Sequence, residues 1–194
     1  TRGFHLGPLP GTRLEIESIA RLFGARAQVF LGGNATKESV LNLPQPTRLV
    51  HFACHGLMDP DFPMNSALAL SPSPEGNRTD GLLQAWEIIQ AFRLDSDCVV
   101  LSACETGVGK VYGGEGIMGL TRAFFYAGAR SVVVTLWPIS DESTSRFMQA
   151  FYREILAGAP RDQALQRARA DLARQPEFAH PFYWAAFVLV GAEN

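Results

Sequence analysis

The sequence predicts an α/β fold in which helices cover both faces of a mostly parallel sheet. Short apolar runs rich in Val and Leu alternate with longer segments of helical periodicity, as expected for buried parallel strands joined by helices. Two of these runs, residues 48–53 and 98–103, are followed at once by a reactive side chain, His55 and Cys104 respectively. Open α/β sheets place their active sites at the carboxyl ends of strands. We therefore expect these two side chains to meet at one edge of the sheet.

Apolar residues recur at helical spacing in six segments. They predict helices over residues 12–23, 36–41, 83–92, 117–126, 141–156 and 161–174. Gly24 closes the first helix, and Thr36 is the N-cap of the second. A glycine cluster at residues 113–116 precedes the fourth, and Gly158 with Pro160 separates the last two.

Strands are predicted from short apolar runs bounded by turn residues. They cover residues 27–31, 48–53, 67–70, 98–103, 131–136 and 183–190. The least regular stretch, residues 57–81, is rich in Asp, Pro, Ser and Asn and is expected to form a rim of the cleft.

The bulk composition bounds the class of protein. With 194 residues, 47% of them hydrophobic, the chain can bury one core, and we expect a single domain over residues 1–194. A net charge of -2 with scattered arginines argues against nucleic acid as a partner, and no apolar run approaches the roughly 18 residues of a membrane span. Three cysteines, two of them in predicted buried strands, suit a reducing compartment, so we expect a cytoplasmic protein. The chain begins at Thr1 without a leader, which indicates a piece excised from a longer protein.

The two strand-end motifs, HFACHG at residues 51–56 and LSACETG at residues 101–107, predict a cysteine peptidase. An imidazole beside a thiol takes its proton and raises its nucleophilicity, and the same imidazole later protonates the leaving amine. His55 and Cys104 are the candidates for these roles. The backbone N–H groups of Gly56 and Cys104 are the candidate oxyanion donors, since Gly56 lets the chain approach a substrate without a Cβ in the way. Such a dyad needs no cofactor, and we expect none.

Each of these residues also has a structural interpretation. Cys104 alone would often be a buried structural thiol. His51 shares a strand face with His55 and is either a second site residue or, as we favour, a hydrogen-bonded strand histidine. Cys54 faces the other way and is expected in the core, as is Cys98. A zinc site at His51, Cys54 and His55 is opposed by this alternation, so no metal is expected.

Four acidic residues are candidates for the substrate pocket. Asp141 and Glu142 follow a predicted strand at the same edge of the sheet. The competing interpretation is a helix start, with Ser140 as N-cap and two acids in the first turn. Asp59 and Asp80 flank the irregular region, where solvated turn acids explain them equally well.

The chain resembles the CHAT domain, a caspase-like module related to separase and often attached to tetratricopeptide repeats. Besides the two strand-end motifs, the resemblance rests on LPGTR at 9–13, DGLL at 80–83, GGEG at 113–116, LWP at 136–138 and YWA at 183–185. It implies a caspase-like α/β/α fold of three layers. It also implies a catalytic dyad with its His at His55 and its nucleophile at Cys104.

Two departures from the family pattern limit what the resemblance implies. Where separases carry further acidic residues that select arginine, this chain has Ser143 and Ser145, so the substrate preference stays open. CHAT domains usually have strands upstream of the LPG stretch, whereas only residues 3–9 precede it here. The first strand is therefore either missing or contributed from elsewhere.

Two hypotheses for the function follow. The first is a cysteine endopeptidase that hydrolyses a protein or peptide substrate through a thioester at Cys104. The second is a latent or non-cleaving interaction module that requires an upstream partner or activator. The resemblance implies a tetratricopeptide-repeat region of the same or a partner chain as the partner. Neither nucleic acid nor a membrane is expected to bind.

Overall fold

The structure, a computed structural model, describes residues 6–7, 9–73, 81–105 and 115–192, with only the backbone at positions 103–105 and 115. Within these residues the helices are α1 (Pro10–Phe23), α2 (Lys37–Leu41), α3 (Ala85–Ala91), α4 (Glu115–Ala127), α5 (Asp141–Leu156) and α6 (Arg161–Ala173). The strands are β1 (Leu49–Leu57), β2 (Ala67–Ala69), β3 (Leu82–Gln84), β4 (Cys98–Glu105), β5 (Ser131–Thr135) and β6 (Phe187–Gly191).

The described strands form one mixed sheet in the order β3-β2-β1-β4-β5-β6. The central strands β1, β4 and β5 are parallel. At the two sides β2 pairs antiparallel with β1 and β6 with β5, while the outermost strand β3 pairs antiparallel with β2. This arrangement confirms the predicted α/β fold, but the sheet is mixed rather than mostly parallel: among the described strands three of the five pairings are antiparallel, and the two parallel ones lie in the middle. It also explains why β4 and β5 are almost wholly apolar, since a central parallel strand is covered on both faces.

Helices cover both faces of the sheet and enclose two cores. On one face, α3 and α4 pack on side chains such as Val99 and Leu101 of β4. On the other, α1, α5 and α6 pack on Cys98 and Val100 of the same strand. Successive residues of a strand point to opposite faces, so one apolar run supplies both cores. Among the described residues, none of the helices combines the length and apolar character that a membrane crossing requires.

Most element boundaries agree with the sequence expectations, and α5 matches its predicted range. Both predicted N-caps form: Thr36 Oγ1 accepts a hydrogen bond from Ser39 N at 3.2 Å, and Ser140 Oγ accepts one from Ser143 N at 3.3 Å. Each satisfies a backbone donor that the first turn of a helix leaves without an intrahelical partner.

Three predicted elements differ from those observed. Residues 27–31 are extended but join no strand, and Val29 is 40% exposed, because no neighbouring strand pairs with this segment in the described part. The helix predicted from 83 begins at 85, since Gln84 and Glu87 form a capping box there and residues 82–84 join the sheet as β3. The last strand starts at Phe187 rather than 183, since a short 3-10 turn, Pro181–Tyr183, precedes it.

Candidate active site

The backbone brings the two predicted catalytic positions together. In the parallel pairing of β1 with β4, His55 is the register partner of Cys104. Paired positions of adjacent strands lie on the same face of a sheet. Both lie within two residues of the ends of their strands, at the edge where the parallel strands end. The sequence expectation that these positions meet there is thus consistent with the observed register.

The imidazole of His55 is oriented by a backbone carbonyl. Its Nε2 lies 2.7 Å from the carbonyl oxygen of Gly7, in the segment that precedes α1. A carbonyl only accepts hydrogen bonds, so Nε2 carries the hydrogen and the neutral ring keeps its basic lone pair on Nδ1. That Nδ1 is buried and has no hydrogen-bond partner among the described residues. A ring held in this tautomer is prepared to take a proton at Nδ1.

His51 lies on the same strand face as His55 but belongs to a separate buried network. Its Nε2 is 3.0 Å from Oε1 of Glu15 in α1, and its Nδ1 is 3.0 Å from the hydroxyl of Tyr152 in α5. This confirms the prediction of a hydrogen-bonded strand histidine. The burial of Glu15 is unexpected for a charged side chain: it is 3% exposed, whereas the neighbouring Leu14 is 59% exposed.

The cysteines outside the candidate dyad are packed thiols. Cys54 packs against the core on the α3 and α4 face, opposite to the network of His51, and Cys98 is fully buried in the other core. Burial raises the pKa of Cys54 to about 12 and that of Cys98 to about 11. The predicted core position of Cys98 is confirmed, and Cys54, which is partly buried, packs against the core on its predicted face. In the part of the chain that the structure describes, no group of three His, Cys, Asp or Glu side chains is arranged to hold a metal ion.

Two of the acidic candidates lie in the first turn of α5. Asp141 is exposed and packs closely against α1, where a Cβ added at Gly11 would lie 2.1 Å from the Cβ of Asp141. Glu142 is 66% exposed and pairs with Arg146 at 2.9 Å, one turn further along the helix. Both acids also complement the positive N-terminal end of α5. The structure thus bears out the helix-start interpretation, with Ser140 as N-cap, while the pocket role of Asp141 and Glu142 stays a prediction.

The remaining candidates have different surroundings. Asp59 Oδ1 accepts hydrogen bonds from the backbone N–H groups of Asp61 and Phe62 at 3.1 and 2.8 Å, which holds the turn after β1. Asp80 lies outside the described residues. Gly56 is buried within β1, paired in register with Leu68 on one side and with position 105 on the other. Its role as an oxyanion donor stays a prediction, as does that of the Cys104 N–H.

Among the described helices, α1, α4 and α5 begin near this edge of the sheet. The Gly7 contact places the start of α1 beside His55, while α4 and α5 each follow the carboxyl end of a parallel strand. Helix N-termini carry partial positive charge, which favours an anion such as a thiolate. The first turn of α1 contains no acidic residue and retains this positive end, whereas Asp141 and Glu142 offset that of α5.

Leu136 and Phe182 form an apolar ledge on the β6 side of the site, which the sequence motifs did not assign to it. Leu136 directly follows β5 and is 43% exposed, and Phe182 is 46% exposed. The indole N–H of Trp137 donates to the carbonyl oxygen of Phe182 at 3.0 Å and ties the two segments together. The only sequence signal for this ledge is the LWP stretch, whose apolar residues come directly after a strand.

Comparisons with known proteins agree with this architecture. The family model described as CHAT domain matches residues 1–192. Tetratricopeptide repeat protein 28 of Mus musculus is 30% identical, and its Homo sapiens counterpart 31%, in alignments that cover 96% of this chain. The chain spans only 9% of the length of each relative. The family match covers almost the whole chain, and the α/β/α fold agrees with it. The chain therefore belongs to the CHAT domain family, a caspase-like family related to the cysteine peptidases.

Proposed function

We propose that this chain is a cysteine endopeptidase in which Cys104 is the nucleophile and His55 the general base and acid. The observation that carries the proposal is the register pairing of His55 with Cys104 at the carboxyl edge of two central parallel strands. The Gly7 contact supports it, because it leaves His55 Nδ1 as the basic nitrogen. Membership of a family related to cysteine peptidases agrees with this chemistry.

The proposed reaction has two steps. His55 Nδ1 accepts the proton of the Cys104 thiol, and the sulfur attacks the carbonyl carbon of the scissile peptide bond. As the tetrahedral intermediate collapses, the C–N bond breaks, the amine leaves with the proton from Nδ1, and a thioester remains on Cys104. A water molecule that gives a proton to His55 then attacks the thioester, which releases the carboxyl product and restores the thiol.

Two parts of the proposed site contact the substrate. Gly56 and Cys104 donate their backbone N–H groups to the developing oxyanion. Asp141 and the ledge of Leu136 and Phe182 are proposed to contact residues near the scissile bond, because Leu136 and Asp141 both follow the carboxyl end of β5 and Trp137 donates a hydrogen bond to the Phe182 carbonyl. Glu142, Asp59 and Asp80 are weaker pocket candidates, since two of them have local partners and the third lies outside the described residues.

The proposed partners are a protein or peptide substrate and a tetratricopeptide-repeat region. The second is supported by the names of the two relatives, which refer to such repeats. We also propose a cytoplasmic location, because two described cysteines are free thiols in the core and suit a reducing compartment.

The test is active-site labelling read by intact mass. The protein is treated with peptidyl electrophiles that differ in their P1 group, and wild type is compared with Cys104→Ala and His55→Ala. We expect one label per chain at Cys104, with a rate that depends on the P1 group and falls at least a hundredfold in His55→Ala. Cleavage of a peptide library then identifies the bond that is hydrolysed.

Full cleavage by Cys104→Ala would eliminate the proposal. Absence of labelling at Cys104, together with partner binding that Cys104→Ala leaves unchanged, would favour the second hypothesis, a non-cleaving interaction module. The control variant is Cys98→Ala, which removes a buried thiol and is expected to leave both the label and the cleavage in place.

A further inference from the structure

The geometry points to Glu15 as a positioning residue for His55. Its buried hydrogen bonds with His51, and through His51 with Tyr152, hold α1 against the sheet. In turn, α1 holds the Gly7 carbonyl against the His55 ring. The inference deepens the proposed function and rests on it, in that the ring being positioned is the proposed general base. It is argued from contacts that involve neither Cys104 nor a substrate.

The network joins three separate elements through buried polar atoms. The side chains of Glu15 in α1 and His51 in β1 are 4% and 8% exposed, and Tyr152 in α5 is 1% exposed. The two contacts that link them are each 3.0 Å long. A buried carboxylate is costly unless it is paired, and a buried network is stable only when every member is satisfied. Glu15 therefore has one favourable position, which fixes α1 against both β1 and α5.

The chemistry of the three groups sets the direction of each hydrogen bond. The carboxylate of Glu15 accepts, so His51 Nε2 donates to it. Burial, followed by the charges of Cys98 and Glu15, raises the pKa of Tyr152, which therefore keeps its proton and donates to His51 Nδ1. Both ring nitrogens of His51, the Oε1 of Glu15 and the hydroxyl of Tyr152 then each have a partner.

The path from this network to His55 is short. Glu15 contacts His51 while Gly7 contacts His55, so α1 runs antiparallel to β1 and its start lies at the candidate site. Two features stiffen the segment between Gly7 and Glu15. Pro10 occupies the first turn of α1 with its restricted backbone, and Gly11 packs directly on Asp141 of α5. A displacement of α1 along the sheet therefore moves the Gly7 carbonyl away from the ring.

A role limited to filling space would be served as well by an apolar side chain, which carries no desolvation penalty of its own. The positioning role requires an acceptor at this point, since only an acceptor binds His51 Nε2–H. Glu15→Gln keeps an amide oxygen there, whereas Glu15→Ala removes it. The two variants separate the acceptor from the negative charge.

The experiment reads the tautomer of His55 directly by NMR. The 194-residue chain is labelled with nitrogen-15 in its four histidines, and long-range proton–nitrogen correlations are assigned through single His→Gln variants. In wild type we expect one His55 tautomer with hydrogen on Nε2. In Glu15→Ala we expect its two nitrogen signals to move toward each other, as exchange between tautomers averages them. Glu15→Gln is expected to restore the wild-type pattern.

The matched control is Glu17→Ala, on the same helix, which removes an exposed carboxylate paired with Arg13 at 3.4 Å and is expected to leave His55 unchanged. Should Glu15→Ala not fold, Tyr152→Phe breaks the same chain by loss of one hydroxyl and is expected to shift the His55 signals in the same direction. A wild-type His55 spectrum in Glu15→Ala, or in Tyr152→Phe where the first variant does not fold, overturns the inference. So does a Glu15→Gln spectrum that resembles that of Glu15→Ala.

Labelling of Cys104 by a peptidyl electrophile tests the proposed function independently of the NMR result on His55. If the His55 tautomer depends on Glu15 but wild type is not labelled at Cys104, the proposed peptidase activity is refuted and the positioning role of Glu15 stands. If Cys104 is labelled at the same rate in wild type and in Glu15→Ala, and the His55 spectrum is unchanged, the proposed peptidase activity is supported and the positioning role of Glu15 is refuted.

Discussion

The imidazole Nε2 of His55 donates a hydrogen bond of 2.7 Å to the carbonyl oxygen of Gly7, 48 residues earlier in the chain. In serine and cysteine peptidases a third group commonly orients the base and selects its tautomer. Here that group is a backbone carbonyl, which carries no charge. The relationship depends on the start of α1 lying against β1.

Deletion of residues 1–7 is expected to slow labelling of Cys104 by a peptidyl electrophile about tenfold. The deletion removes the acceptor of one neutral hydrogen bond, which contributes about 0.5–1.5 kcal/mol and fixes the tautomer of the base. The rate is measured by intact mass against time, and the free energy of unfolding is measured in urea.

Gly7→Ala is the matched control for this deletion. It retains the carbonyl, and an added Cβ would have no heavy atom within 4 Å, so the labelling rate should stay at the wild-type value. Equal rates in the deletion variant and in Gly7→Ala would show that the carbonyl does not assist His55.

The buried thiols are expected to resist alkylation in the folded protein. Because burial raises their pKa to about 12 for Cys54 and about 11 for Cys98, less than about one thiol in a thousand is ionised at neutral pH. Iodoacetamide at pH 7 should therefore label only Cys104 in the native protein and all three cysteines in denaturant. Native labelling of Cys54 as fast as that of Cys104 would contradict this.

The same pKa shifts predict that stability falls in alkaline solution. Each thiol has a higher pKa folded than unfolded, so above about pH 9 the folded state holds more protons and the free energy of unfolding decreases as the pH rises. The loss should reach roughly 1–2 kcal/mol per thiol at about pH 10.5. It is measured by urea unfolding between about pH 7 and pH 10.5.

The double variant Cys54→Ala/Cys98→Ala serves as the comparison for this pH dependence. It is less stable at neutral pH because two buried side chains are truncated, but its decline above about pH 9 should be shallower than in wild type. Burial is the largest cause of the raised pKa of Tyr152, so this tyrosine contributes to the alkaline decline in both proteins, although the variant lacks the smaller contribution of Cys98 to that pKa. Identical slopes would show that the thiols titrate alike in the folded and unfolded states.

Asp59 is expected to stabilise the folded state by holding the turn that follows β1. Asp59→Ala removes the acceptor of two backbone N–H groups and should lower the free energy of unfolding by about 1–2 kcal/mol. Asp59→Asn retains an acceptor oxygen and should lie within about 0.5 kcal/mol of wild type. A change in P1 preference in Asp59→Asn, without loss of stability, would instead support the pocket role.

Local chemistry accounts for the elements that the sequence predicted well. Apolar runs identify β1, β4 and β5, because a central parallel strand needs apolar side chains on both faces. The caps at Thr36 and Ser140 follow from hydroxyl groups placed before a helical pattern. The strand predicted at residues 27–31 does not form, since a strand requires a neighbouring strand to pair with it.

The sequence by itself determined the class of the fold, the two strands that carry His55 and Cys104, and the family, because each is written in local periodicity and short motifs. Only the tertiary structure decided that these two positions are register partners and that the Gly7 carbonyl orients the ring. It also decided that Glu15 is buried while the neighbouring Leu14 is exposed. Helical periodicity predicts that a helix has a buried face and an exposed face. It does not predict that a polar side chain such as Glu15 is buried, because this depends on a hydrogen-bond partner from a distant segment, here His51.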